Sequence, residues 1–76
     1  MADHDAFHKL AESWGSPFVA RNKVDTFSGG VLNSKTMANK DGLGEGPAGR
    51  KKFGQKVYYE TESLCDWLRE NSIELN

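Results

Sequence analysis

Apolar side chains recur at helical spacing in three parts of this chain. Phe7, Leu10, Ala11 and Trp14 form the first stripe, which predicts a helix from Asp5 to Trp14, ended by Gly15 and Ser16-Pro17. Phe18 to Ala20 is a short apolar piece. Asn22 then opens a second helix, with Asn22 and Asp25 in a capping-box arrangement and Val24 and Phe27 as its apolar contacts. Ser28-Gly29-Gly30 stops that helix. Asn33 is a strong N-cap, predicting a third helix from Ser34 to about Asp41 with Gly42 as its terminal glycine. The last stripe is Leu64, Cys65 and Leu68, widened by Trp67. It belongs to a helix capped by Thr61 that frays near Asn71, with Ile73 and Leu75 expected to touch the body of the domain.

Pro47 excludes a helix between the third and last of these elements. There Arg50–Phe53 and Lys56–Tyr59 read as two strands around Gly54-Gln55. Glycine in first place suits a two-residue type II′ turn. A three-residue loop, Gly54 to Lys56, instead sets Phe53, Val57 and Tyr59 on one face and turns Arg50, Lys52 and Tyr58 away. Because burial fixes register, the second pairing is the one expected. Helix, glycine turn, helix, hairpin is the outline of an α+β domain with a helix-turn-helix unit.

Composition narrows the function. A chain of 76 residues leaves a thin core and little room for a deep catalytic cleft. Its single cysteine, Cys65, excludes an internal disulfide and points to a reducing compartment. No apolar run approaches the roughly 20 residues of a membrane span, and "MADHDAFHK" lacks the apolar region of a signal peptide. A soluble, cytoplasmic protein with no membrane partner is expected.

The formal net charge of −1 hides a polarity. In residues 1–20, Asp3, Asp5 and Glu12 oppose Lys9, for a net −2. In residues 21–59, Arg21, Lys23, Lys35, Lys40, Arg50, Lys51, Lys52 and Lys56 oppose Asp25, Asp41 and Glu45, for +5. In residues 60–76, Glu60, Glu62, Asp66, Glu70 and Glu74 oppose Arg69, for −4. A basic middle between acidic ends suits a surface that faces a polyanion.

Catalytic and cofactor motifs do not fit. Gly44, Gly46 and Gly49 match G-x-G-x-x-G formally, but a helix precedes them, Pro47 interrupts and a basic hairpin follows. A glycine-rich connection is the better reading, and no cofactor is expected. His4 and His8, with Asp3 and Asp5 nearby, lack a third strong metal ligand. Cys65 sits on an apolar stripe with no base in view, so no enzyme is expected.

The third helix is more informative. With Met37 inward, Ala38, Ser34 and Asp41 fall near the buried side, Lys35, Thr36 and Asn39 cluster opposite, and Lys40 lies on a flank. Lysine can donate to guanine, asparagine can pair with adenine and threonine can offer a methyl to thymine in a major groove. Eight residues span about 12 Å, comparable to the groove's width of about 12 Å. Arg50, Lys51, Lys52 and Lys56 then supply a cationic ribbon for phosphates or the minor groove, with Arg21 or Lys23 as further phosphate contacts.

The segment "FSGGVLNSKTMANKDGLGEGPAGRKKFGQKVYYETESLCDWLREN" resembles the small excisionase-like and AlpA-like prophage regulators, a branch of the MerR-type winged helix-turn-helix group. The likeness runs from about Phe18 to Asn71. It is carried by Ser28–Gly30, Lys35–Asn39, Gly44–Pro47, Phe53–Tyr59 and Trp67-Leu68. The chain departs from the pattern at Ser34 and Glu60, where proline is common.

The resemblance implies a small winged helix-turn-helix with a two-stranded wing and a C-terminal helix within residues 18–76, and the N-terminal helix or arm (residues 1–17) lies outside it, its role open. The resemblance implies double-stranded DNA as partner, either in recombination directionality beside an integrase or in transcriptional regulation. A module this small is expected to need cooperative self-association on DNA, or help from an integrase or RNA polymerase. The resemblance assigns DNA contacts to Ser34, Lys35, Thr36, Asn39 and Lys40, and to Arg50, Lys51, Lys52 and Lys56. The alternative is a protein-interaction module, its basic hairpin docking an acidic partner and its Phe7/Trp14 stripe serving as a sticky surface. A weaker one is single-stranded RNA binding through Tyr58, the one aromatic expected to face outward on the wing.

Overall fold

The computed structural model describes residues 6–73 and Leu75. In order, α1 spans Ala6–Trp14, β1 Phe18–Ala20, a 3-10 turn Arg21–Lys23, α2 Val24–Phe27, α3 Ser34–Gly42, β2 Lys51–Phe53, β3 Lys56–Glu60 and α4 Thr61–Asn71. The result is a small α+β domain of four helices and a three-stranded antiparallel sheet among the described residues. The core joins Val19, Val24, Phe27, Leu32, Met37, Tyr59, Leu64, Cys65 and Leu68. Each fully buried apolar side chain here contributes about 1.5–3 kcal/mol.

α1 is not a detached arm. Phe7, Leu10, Ala11 and Trp14 pack against the core. Trp14 meets Phe27 edge-on at 5.4 Å, and its indole N–H donates to the Phe18 carbonyl at 2.8 Å. Arg69 of α4 lies over the Phe7 ring at 5.7 Å. The stripe expected to be sticky is therefore turned inward.

Phe18–Ala20 proves to be a third strand. It pairs antiparallel with β3, Val19 opposite Tyr59, which gives the order β1-β3-β2. Three residues hold too little alternation to announce a strand. The pairing depends on a partner about forty positions away.

The hairpin register differs from the one expected. Phe53 pairs with Lys56, Lys52 with Val57 and Lys51 with Tyr58. Gly54 has φ 61° and, among the described residues, only glycines have positive φ, which fits a two-residue type II′ turn. Paired residues share a face. Phe53 thus joins Tyr58 on the outer side, 80% exposed, while Lys52 joins Val57 on the side of the core. Turn chemistry outweighs the gain from burying Phe53, because Val19 and Tyr59 already fill the inner face.

Helix ends follow capping rules with some displacements. The Asn33 side chain accepts from the Thr36 amide at 2.8 Å, as expected of an N-cap. α2 ends at the glycine pair through Gly30 N–H to Asp25 O at 2.8 Å. α3 runs through Gly42, one residue further than expected, and its terminal glycine is Gly44. Gly44, at φ 73°, donates to Asp41 O and Glu45 donates to Lys40 O, closing a Schellman motif.

Asn22 caps nothing here, because residues 21–23 wind as a 3-10 turn. Asp25 instead accepts from the neighbouring Thr26 amide. Glu60, not Thr61, is the N-cap of α4. Thr61 gives its amide to Pro17 O and its hydroxyl to Ser16 O, tying the helix start to the entry of β1. Ile73 and Leu75 are 84% and 87% exposed and do not join the body of the domain.

Candidate nucleic-acid interface

α3 presents two contrasting sides. Met37 is fully buried and Asp41 is buried beside it, while Lys35 and Asn39 are exposed. Thr36 and Lys40 are half-buried on the flank facing α4, where they border a groove with Trp67, Leu68 and Asn71. Ser34 is exposed on the opposite flank, toward the hairpin. The outward direction of α3 therefore belongs to Lys35 and Asn39, with Thr36 at the margin. Lys40 lies 3.6 Å from Glu45.

The inward carboxylate of Asp41 organises the site. Its Oδ2 accepts from Arg21 Nη2 at 2.6 Å and from the Tyr59 hydroxyl at 2.6 Å. Arg21 Nε donates to Tyr59 Oη at 3.0 Å, which closes a ring of three. Arg50 Nη1 lies 3.2 Å from Asp41 Oδ1 and donates to the Asp41 carbonyl at 3.3 Å. Oδ1 accepts no hydrogen bond of its own.

Burial, reinforced by Asp41, pushes the Tyr59 hydroxyl up to about 12. The hydrogen bond to Tyr59, then that to Asp41, raise the Arg21 guanidinium against the cost of its burial. Arg21 and Arg50, both expected to meet phosphates, thus hold the 3-10 turn, α3 and the start of the hairpin together. The sequence hid this hub because its four residues are 9 to 38 positions apart. The available signal was an acid on the buried side of α3 within a basic segment.

Among the described residues Lys23, Lys35, Lys52 and Lys56 are exposed and have no carboxylate partner. Lys51 is different. Its ammonium lies 2.8 Å from Glu60, which raises the lysine and lowers the carboxylate from their ordinary values. Ser34, Arg21, Asn22, Gln55, Lys56 and Val57 share a groove of about 180 Å³ with Ala20. The hairpin turn and the beginning of α3 thus border one hollow. Gln55 was not singled out by sequence reasoning.

The glycine-spaced run is a loop from α3 to β2, with no helix following it. An added Cβ at Gly46 would collide with the Asp41 carboxylate, so this glycine serves the hub. The Trp67 indole N–H donates to the Glu45 carbonyl at 2.8 Å and pins the same loop to α4. His4, Asp3 and Asp5 lie outside the described residues. His8 sits 3.3 Å from Glu12 on an exposed face. No group of three His, Cys, Asp or Glu side chains among the described residues is placed to hold a metal ion. Among them too, no helix is long and apolar enough to cross a membrane. No protein-family model, curated protein or solved structure matches the chain.

Proposed function

We propose that this chain is a sequence-specific duplex-DNA-binding protein without enzymatic activity, built on a winged helix-turn-helix plan. α2, the glycine turn and α3 serve as the helix-turn-helix, and β2–β3 as the wing. Lys35 and Asn39 read base edges in the major groove, with Thr36 and Ser34 at the margins. Lys52, Lys56 and Lys23 neutralise phosphates. Arg21 and Arg50 act by fixing the wing against α3 rather than as free cations.

The observation that carries this reading is the shared groove. Ser34 of α3, Gln55 of the hairpin turn and Lys56 at the start of β3 line the same hollow, which supports a reading in which helix and ribbon meet one duplex. Exposed Lys35 and Asn39 without competing carboxylates support it. A module of this size covers roughly 600–1,000 Å² on DNA. Its affinity is therefore modest, and neighbouring copies, an integrase or RNA polymerase supply the remainder. An excisionase-like directionality factor or a prophage transcriptional regulator is the role that fits such dependence.

A gel-shift titration against random and selected duplexes at two salt concentrations tests the proposal. Binding should weaken steeply with salt. Lys52→Ala should flatten the slope by about one phosphate contact on every sequence. Asn39→Ala should cost about 1–3 kcal/mol at one base pair of the selected site. Absence of salt-sensitive duplex binding overturns the proposal and leaves the protein-interaction reading, whose Phe7/Trp14 surface is already taken up by packing.

A further inference from the structure

The observed register gives the sheet an outer face unlike that of an ordinary wing. Reading across the three strands, Phe18 lies opposite Glu60, Ala20 and Lys51 flank Tyr58, and Phe53 lies opposite Lys56. Phe18, Tyr58 and Phe53 therefore run diagonally, one from each strand. Phe18 and Tyr58 meet edge-on at 5.1 Å, Phe18 is 45% exposed and Phe53 80%. Phe18, Ala20, Phe53, Lys56 and Tyr58 line an open hollow of about 490 Å³. Small Ala20 leaves room beside the Tyr58 ring. Folding gains nothing from leaving Phe53 in water, and the outer face turns away from α3, which packs on the inner side through Met37 and Asp41.

We propose that this outer sheet face binds single-stranded nucleic acid by base stacking. The chemistry favours that occupant over an apolar protein surface. Apart from Ala20 the hollow is lined by three aromatic rings and one lysine, and Glu60, the acid of the strands on this face, lies 2.8 Å from the Lys51 ammonium; Glu12 and Glu62 border only the far side of Phe18. Flat π-faces accept any base, and cations beside them track the phosphates. Lys56 has no carboxylate partner among the described residues and stands directly opposite Phe53. It can hold the phosphate next to a base stacked on that ring. Phe53 and Tyr58 take successive bases, with Phe18 buttressing Tyr58 from its edge. The proposal does not depend on duplex recognition by α3: Phe18, Phe53 and Tyr58 lie on the sheet face away from Met37 and Asp41, and only Ala20 and Lys56, at the edge, border both hollows.

Fluorescence anisotropy of labelled dT12 and U12 at low salt, using the full chain, tests it. Stacking and phosphate contacts are common to both strands, so salt-sensitive binding of either supports the proposal, and a preference names the natural class. Phe53→Ala and Tyr58→Ala should each weaken binding by about 5- to 100-fold. Phe53→Ala should leave the melting temperature and the affinity for duplex unchanged, since Phe53 is exposed and lies away from α3. Four results overturn the proposal: no binding of either strand, binding that Phe53→Ala leaves intact, equal loss of duplex and single-strand affinity in Phe53→Ala, or a dimer by sedimentation that Phe53→Ala dissolves in a chain that binds no oligonucleotide.

Discussion

The two sides of α3 use charge in opposite ways. On the inward side, Asp41 collects two arginines and a tyrosine hydroxyl, and of the buried side-chain polar atoms among the described residues only Oδ1 lacks a hydrogen bond. On the outward side, Lys35 and Asn39 stand in water with nothing opposite them. Less than two turns of helix separate a site where charge maintains shape from one where it is left available. Counting basic residues does not distinguish them. Whether a cation has a buried carboxylate within reach does.

The largest expected effect breaks the inward side. Asp41→Ala leaves Arg21 and the Tyr59 hydroxyl facing each other without their acceptor. It should lower stability by about 3 kcal/mol, the low end for removing one member of a buried pair, because half-exposed Arg50 regains water. Urea unfolding measures it, and a loss under about 0.5 kcal/mol, ordinary for a surface change, would show that the hub does not hold the fold. Next in size, Gly46→Ala should cost about 2 kcal/mol by forcing a methyl against the Asp41 carboxylate. In the Asp41→Ala background that cost should nearly vanish, and a double-mutant cycle reads the coupling directly.

Alkali gives a graded test of the same side. The Tyr59 hydroxyl is raised from 10.0 to about 12, so the folded state keeps a proton that the unfolded chain has released. The stability this supplies is intact below pH 10 and is lost as pH climbs toward about 12. Tyr59→Phe should flatten that decline relative to the parent, measured by unfolding at stepped pH. An unchanged slope would remove Tyr59 as its source. The smallest effect belongs to the outward side. Lys35→Ala and Asn39→Ala should shift stability by no more than about 0.5 kcal/mol, and a large drop in melting temperature would mean that these side chains serve the fold after all.

Much of this architecture was legible in the chain. The stripe Phe7–Trp14, the Asn33 cap, the glycine pair after Phe27 and the stripe Leu64–Leu68 all obey local rules and appear where those rules put them. What escaped depends on distant partners. β1 exists because β3 accepts it, and Thr61 abandons its capping role because Ser16 and Pro17 offer carbonyls nearby. Phe53 faces outward because the turn outranks burial here, and Gly54 carries that information locally. At the candidate site, the outward pair of α3 followed from helical geometry around Met37. The roles of Arg21 and Arg50 did not, since nothing local reveals which acid a long side chain will find.

The ring of Arg21, Tyr59 and Asp41, with Arg50 against it, links four chain segments through one carboxylate. The separation of hairpin and helix is therefore set during folding. Were duplex binding as proposed above, little conformational freedom would be lost at the encounter, and the fixed spacing would act as a gauge that admits targets of matching width and obliges others to deform.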